Sequence, residues 1–182
     1  MTNAVSELTE TGAKYVLVLA IPYCIWDILI ILFFTGVIIT FKSTILRIAS
    51  VLMIITCIVG ILGYTIFTMD PIVAAPTFKG TFHVVYGTTL GILLPLVSMI
   101  LFGIGLWKNS RKTSIYTFIT IIFILLFGIL ISLATPLFLV HKFHYFGLLE
   151  ISTMLIAYQW FIGLSILFLR ISRNEKMNSK HI

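Results

Sequence analysis

Residues 15–41 read YVLVLAIPYCIWDILIILFFTGVIITF. A single charged residue, Asp27, interrupts an apolar run longer than the roughly 20 helical residues that cross a bilayer. The run lacks period-two alternation, and lipid tolerates only helices or closed barrels, so it reads as a membrane-spanning helix. Four further stretches share its character, at residues 44–68, 81–106, 114–136 and 146–170. Short polar segments separate them: Lys42-Ser43-Thr44, the loop from Met69-Asp70-Pro71 to Lys79-Gly80, Lys108 to Lys112, and Pro136 to Tyr145. The expected fold is all-α, a polytopic bundle of five transmembrane helices. Residues 1–182 form one domain, with no internal repeat and no linker to a second.

Composition agrees. The 182 residues are 60% hydrophobic and 10% charged, with mean hydropathy +1.16, where soluble domains carry roughly 25% charged residues. Such a chain is neither a soluble domain nor disordered. The net charge of +6 does not mark a nucleic-acid binder, because the basic residues are scattered between apolar segments. Cys24 and Cys57 lie inside spans without metal-ligand spacing and read as buried free thiols. Glu7 and Glu10 replace the basic start of a signal peptide, so no cleaved leader is expected.

Basic residues give an orientation. With the amino terminus outside, the inner segments hold Lys42, Arg47, Lys108, Arg111, Lys112, Arg170, Arg173, Lys176 and Lys180. The outer segments hold Lys14, Lys79 and Lys142. Nine against three predicts N-out, C-in, with the tail from Arg170 onward solvated or touching anionic headgroups.

Short motifs in order along the chain add a resemblance. Ser6-Glu7-Leu8 with Thr11-Gly12-Ala13 precedes the first span. Phe67-Thr68-Met69-Asp70 ends the second, Gly80-Thr81-Phe82-His83 opens the third, and Gly147-Leu148-Leu149-Glu150 lies in the last. Together they resemble the bacterial and archaeal membrane family called domain of unknown function 998. Thr68 stands where that family usually has proline, and Ile151 where an arginine often follows the glutamate. The family usually has another helix before its Ser-Glu-Leu motif, so the chain resembles a member lacking that first helix. The resemblance implies a multi-pass protein of a prokaryotic cytoplasmic membrane and implies no particular activity.

Asp27 is the most anomalous residue, because a charged carboxylate at mid-span costs about 2.5–3.5 kcal/mol. At 1.5 Å per residue it lies about 18 Å from residue 15. Thr56 and Tyr158 fall at the same depth, with Gln159 one residue further and Trp26 adjacent. No Lys or Arg lies at that level, so the expected partners are hydroxyl and amide donors, or a proton on the carboxyl itself. Two roles fit: a proton or cation relay, or polar glue between the first and last helices.

A second polar group gathers at the outer side: Asp70 and Lys79 on a loop, His83 opening the third helix, His141 and His144 before the fifth, and Glu150 on its first turns. Glu150, Met154 and Tyr158 share a helix face that leads toward Asp27. His83, Gly87 and Gly91 share another, whose small residues predict close helix contact. The expected function is non-enzymatic: an outward-opening polar pocket that binds or moves a small amphiphile or ion. The first alternative is a membrane-embedded hydrolase in which Asp70, His83 and Glu150, completed by His144 or His141, hold zinc and activate water. No HExxH motif is present. The second is an accessory subunit packed on a partner membrane chain. No cofactor is expected except zinc under the hydrolase reading, and the expected surroundings are the lipid bilayer, without nucleic acid.

Overall fold

Each apolar run folds as a long helix. The computed structural model describes residues 8, 10–71, 74–139 and 144–178, with side chains at 87–88, 138–139 and 172–178 outside that description. The elements are α1 (Val16–Thr40), α2 (Thr44–Thr65), a short α3 (Phe78–Phe82), a π-helical segment (His83–Thr88), α4 (Thr89–Leu106), α5 (Arg111–Leu139) and α6 (Phe146–Asn178). Segments α3, π and α4 run on as one span. Five helices are thus long and apolar enough to cross a membrane, and there is no strand among the described residues.

Three boundaries differ from the sequence expectation. The third span begins at Phe78 and carries a widened π-helical turn at His83–Thr88, a local insertion that apolar length cannot register. Pro136 lies inside α5, which continues to Leu139. Proline removes one N–H donor without stopping a helix whose other polar groups find partners, and the neighbouring Thr135 hydroxyl donates to the Ile131 carbonyl at 2.8 Å. Helix α6 runs to Asn178, eight residues beyond the expected end of the span at Arg170.

Side-by-side packing follows chain order: α1 on α2, α2 on α4, α4 on α5, and α5 on α6. Aromatic side chains close the ring between α6 and α1. Ring centroids of Trp26 and Tyr158 are 4.6 Å apart, those of Phe33 and Phe168 5.6 Å, and those of Phe41 and Phe168 4.7 Å. Phe34, Phe102, Trp160, Leu46, Leu106 and Leu164 fill the centre, fully buried. Outward residues are apolar too, with Leu17 and Ile39 each 76% exposed, as a lipid-facing surface requires.

Hydrocarbon offers no hydrogen bonds, so hydroxyls inside the bundle must find partners within it. Ser98 donates to the Ala49 carbonyl at 2.7 Å, joining α4 to α2. Ser114 donates to the Gly103 carbonyl, joining α5 to α4. The Trp160 indole N–H donates to Thr117 Oγ1 at 2.9 Å, joining α6 to α5, while Thr117 itself donates to the Thr113 carbonyl. Thr117→Val keeps the volume and strands that indole donor. It should cost about 1–2 kcal/mol in denaturant unfolding from mixed micelles, and less when made in a Trp160→Phe background, where the indole donor is already gone.

Candidate functional site

Asp27 projects from α1 against α2, whose facing side presents Met53, Cys57, Gly60 and Tyr64 at helical spacing. Gly60 lets the carboxyl in: a Cβ there would stand 2.8 Å from Asp27 Oδ2. That oxygen is buried and has no hydrogen-bond partner, and the Cys57 side chain lies within electrostatic range of the carboxyl group. Tyr23, one turn before Asp27, stacks on Tyr64 with centroids 5.0 Å apart. Tyr64 and Tyr158 both lie within electrostatic range of Asp27. The carboxyl therefore has aromatic neighbours from α1, α2 and α6.

The depth argument from sequence places some of these groups and not others. Tyr158 reaches the site and packs on Trp26. Thr56 lines the same cavity as Asp27, with its hydroxyl donating to the Leu52 carbonyl at 3.0 Å. Gln159 is exposed and is not a partner: each residue turns about 100° around the helix, so the position after Tyr158 faces away. Tyr23, Tyr64, Cys57 and Gly60 were not singled out. Their signal was present in the face that α2 repeats and in Tyr23 lying four residues before Asp27.

A cavity of about 270 Å³ extends from this carboxyl to the end of the bundle where α2 finishes. Asp27, Thr56, Gly60, Tyr64, His83 and Gly91 line it. It joins Asp27 to His83, which the sequence had assigned to separate polar groups. Gly91 has open space where a Cβ would go, so it widens the cavity instead of making the close helix contact expected of it.

At the cavity mouth the polar side chains close loops. Asp70 accepts from the Thr77 backbone N–H at 2.6 Å and from its hydroxyl at 2.8 Å. Thr77 in turn caps α3 by accepting from Gly80 N–H at 3.2 Å, and Gly80 packs directly on the Asp70 carboxyl. His83 Nδ1 donates to the Phe67 carbonyl at 2.7 Å. A carbonyl only accepts, so the proton is on Nδ1. Thr11 adds the amino-terminal segment, its N–H donating to the Met69 carbonyl at 2.8 Å and its hydroxyl meeting that of Thr68 at 2.7 Å. Glu150 is near enough to Tyr23 to interact electrostatically, as its shared face with Tyr158 implied. His144 is exposed at the start of α6; His141 lies outside the described residues.

Among the described residues no three His, Cys, Asp or Glu side chains are placed to hold a metal ion. The zinc set of Asp70, His83, Glu150 and His144 is therefore not assembled. Asp70 is bound to the loop that precedes α3, and His83 is turned onto the end of α2.

The family model described as protein of unknown function, DUF998, matches residues 1–167. The chain belongs to this family. No curated protein and no solved structure matches it. Three of the four motif pieces noted in the sequence of this DUF998 member meet in the hydrogen-bonded knot: Thr11, the Phe67–Asp70 stretch, and Gly80 with His83. A methyl group discriminates between knot and cavity. Gly80→Ala drives a Cβ into the Asp70 carboxyl and should lower thermal stability in detergent by about 2–3 kcal/mol. Gly91→Ala meets nothing and should leave stability unchanged or raise it by up to about 1 kcal/mol.

Proposed function

We propose that this protein binds or moves a small amphiphile or ion through the cavity between Asp27 and His83. One observation carries the reading. A mid-span carboxyl with an unpartnered oxygen lines a polar cavity, and an intramembrane acid of this kind is retained at a cost only function or tight pairing repays. No lysine or arginine among the described residues lines that cavity. The reading is non-enzymatic: Tyr64, Thr56 and Asp27 can receive and orient a ligand, and no nucleophile with an adjacent base faces the space.

The proposed setting is the cytoplasmic membrane of a prokaryote, N-out and C-in. Nine basic residues flank the ends assigned to the inside, against three outside, and the positive-inside rule gives the sign. In that orientation the mouth at His83 faces outward. The Arg47 guanidinium would sit at the inner face, where its Nε donates to the Phe41 carbonyl at 2.9 Å. A second reading, an accessory subunit, draws support from the mouth itself, since Asp70 and His83 are spent on loop closure.

Two measurements separate these readings. With single cysteines introduced at Ala75 and Ser110, an impermeant maleimide should label the first from outside and the second only from inside; the reverse pattern overturns the orientation. Asp27→Asn should keep the fold and remove the pH dependence of binding or transport in proteoliposomes. If the variant matches wild type across a broad pH range, Asp27 is structural and the accessory reading stands.

A further inference from the structure

A second cavity, about 230 Å³, lies in the bundle beside the first. Its walls are apolar, among them Met53, Met99, Met154, Trp160 and Phe161. Among the described residues Thr153 is its one hydroxyl-bearing side chain, and that hydroxyl is already given to the Leu149 carbonyl at 2.9 Å. Gly91 and Ile92 line both cavities. At Gly91 no side chain stands between them, and the position has open space around it. Each lobe alone is smaller than an ordinary small-molecule site of about 300–1,000 Å³, and the two together fall within that range.

The two lobes differ in chemistry. Among the described residues the polar lobe carries one acid, no lysine or arginine, and Tyr64, on which Tyr23 stacks. Apart from Thr153 and Gly91, the described lining of the other lobe is methionine, aromatic and aliphatic surface, and methionine adapts its shape to varied apolar groups. We propose that the occupant is a small organic cation with an apolar tail: an ammonium against the Asp27 carboxyl and an alkyl or aryl group in the methionine-lined lobe.

The charge follows from the lining. An anion would meet the carboxyl with no cation to offset it. Ca²⁺ or Mg²⁺ would take about six or more oxygen ligands, and no group of metal-holding side chains forms among the described residues. An alkylammonium needs one counter-charge and tolerates aromatic faces, which attract cations. The apolar lobe supplies what a compact inorganic ion could not use.

This inference rests on the cavity being a ligand site, and the experiment keeps the two claims apart. The full chain in lipid nanodiscs is titrated with hexyltrimethylammonium, hexanol, hexanoate and tetramethylammonium, with empty nanodiscs subtracted. Isothermal calorimetry and tryptophan fluorescence report binding, Trp160 lining the apolar lobe. Hexyltrimethylammonium should bind about tenfold or more tighter than hexanol and than tetramethylammonium, with hexanoate weakest. Asp27→Asn should erase the preference over hexanol. Met154→Trp, which fills the apolar lobe, should weaken the hexyl cation and spare tetramethylammonium. If Asp27→Asn does not fold, the four probes on the native chain decide alone. Equal binding of cation and alcohol, or preference for hexanoate, overturns the cationic assignment and leaves the cavity a ligand site. Tetramethylammonium binding as tightly as its hexyl analogue overturns the role of the apolar lobe. Failure of every probe to bind the folded protein overturns both claims.

Discussion

The contact between Asp27 and Gly60 is the constraint around which this bundle is arranged. A charged carboxyl halfway along a span is costly in hydrocarbon, and no lysine or arginine shares its span. It is tolerated because α2 lacks a side chain at Gly60, which admits Oδ2 to a distance any Cβ would obstruct. Cys57 lies within electrostatic range of the carboxyl, and Tyr23 and Tyr64 stack alongside. Close approach of two backbones at a small residue is the ordinary way membrane helices associate. Here the same approach houses an acid, so packing and polarity are settled at one position.

The rest of the ring distributes its polar groups differently. Ser98, Ser114 and Trp160 each spend a donor across a helix boundary, and these bonds tie α2, α4, α5 and α6 into a row. Between α6 and α1, aromatic faces hold the seam. The polar cavity lies toward the start of the row, between α1, α2 and the third span. Its apolar neighbour lies deeper, where α4, α5 and α6 contribute the walls.

Five spans were legible in the sequence because crossing a bilayer demands apolar length, and length survives in one dimension. Pro136 and the π-helical turn at His83 were not, since both are local deviations inside a continuous apolar run. The site was legible by depth and not by azimuth. Counting residues from the span ends placed Thr56 and Tyr158 at the level of Asp27, and both lie beside it. The same count gave Gln159, which faces outward, because counting along a helix does not say which way a neighbouring helix turns. Asp70 and His83 have side chains suited to metal or catalysis, yet their partners are Thr77 and the Phe67 carbonyl. Residue type carried no information about that loop closure.

His83 links the two parts of the molecule. Its Nδ1 is committed to the end of α2, while the residue also lines the cavity. With the proton held on Nδ1, a neutral ring leaves Nε2 as an acceptor. The knot formed by Thr11, Phe67, Thr68, Asp70, Thr77 and Gly80 thus fixes the position and tautomer of the histidine at the mouth. Through His83 the loop-closing motifs and the buried acid bear on a single space. The motif residues need not touch a ligand to matter for it: by holding the ends of α2 and the third span together, they set the opening through which Asp27 is approached.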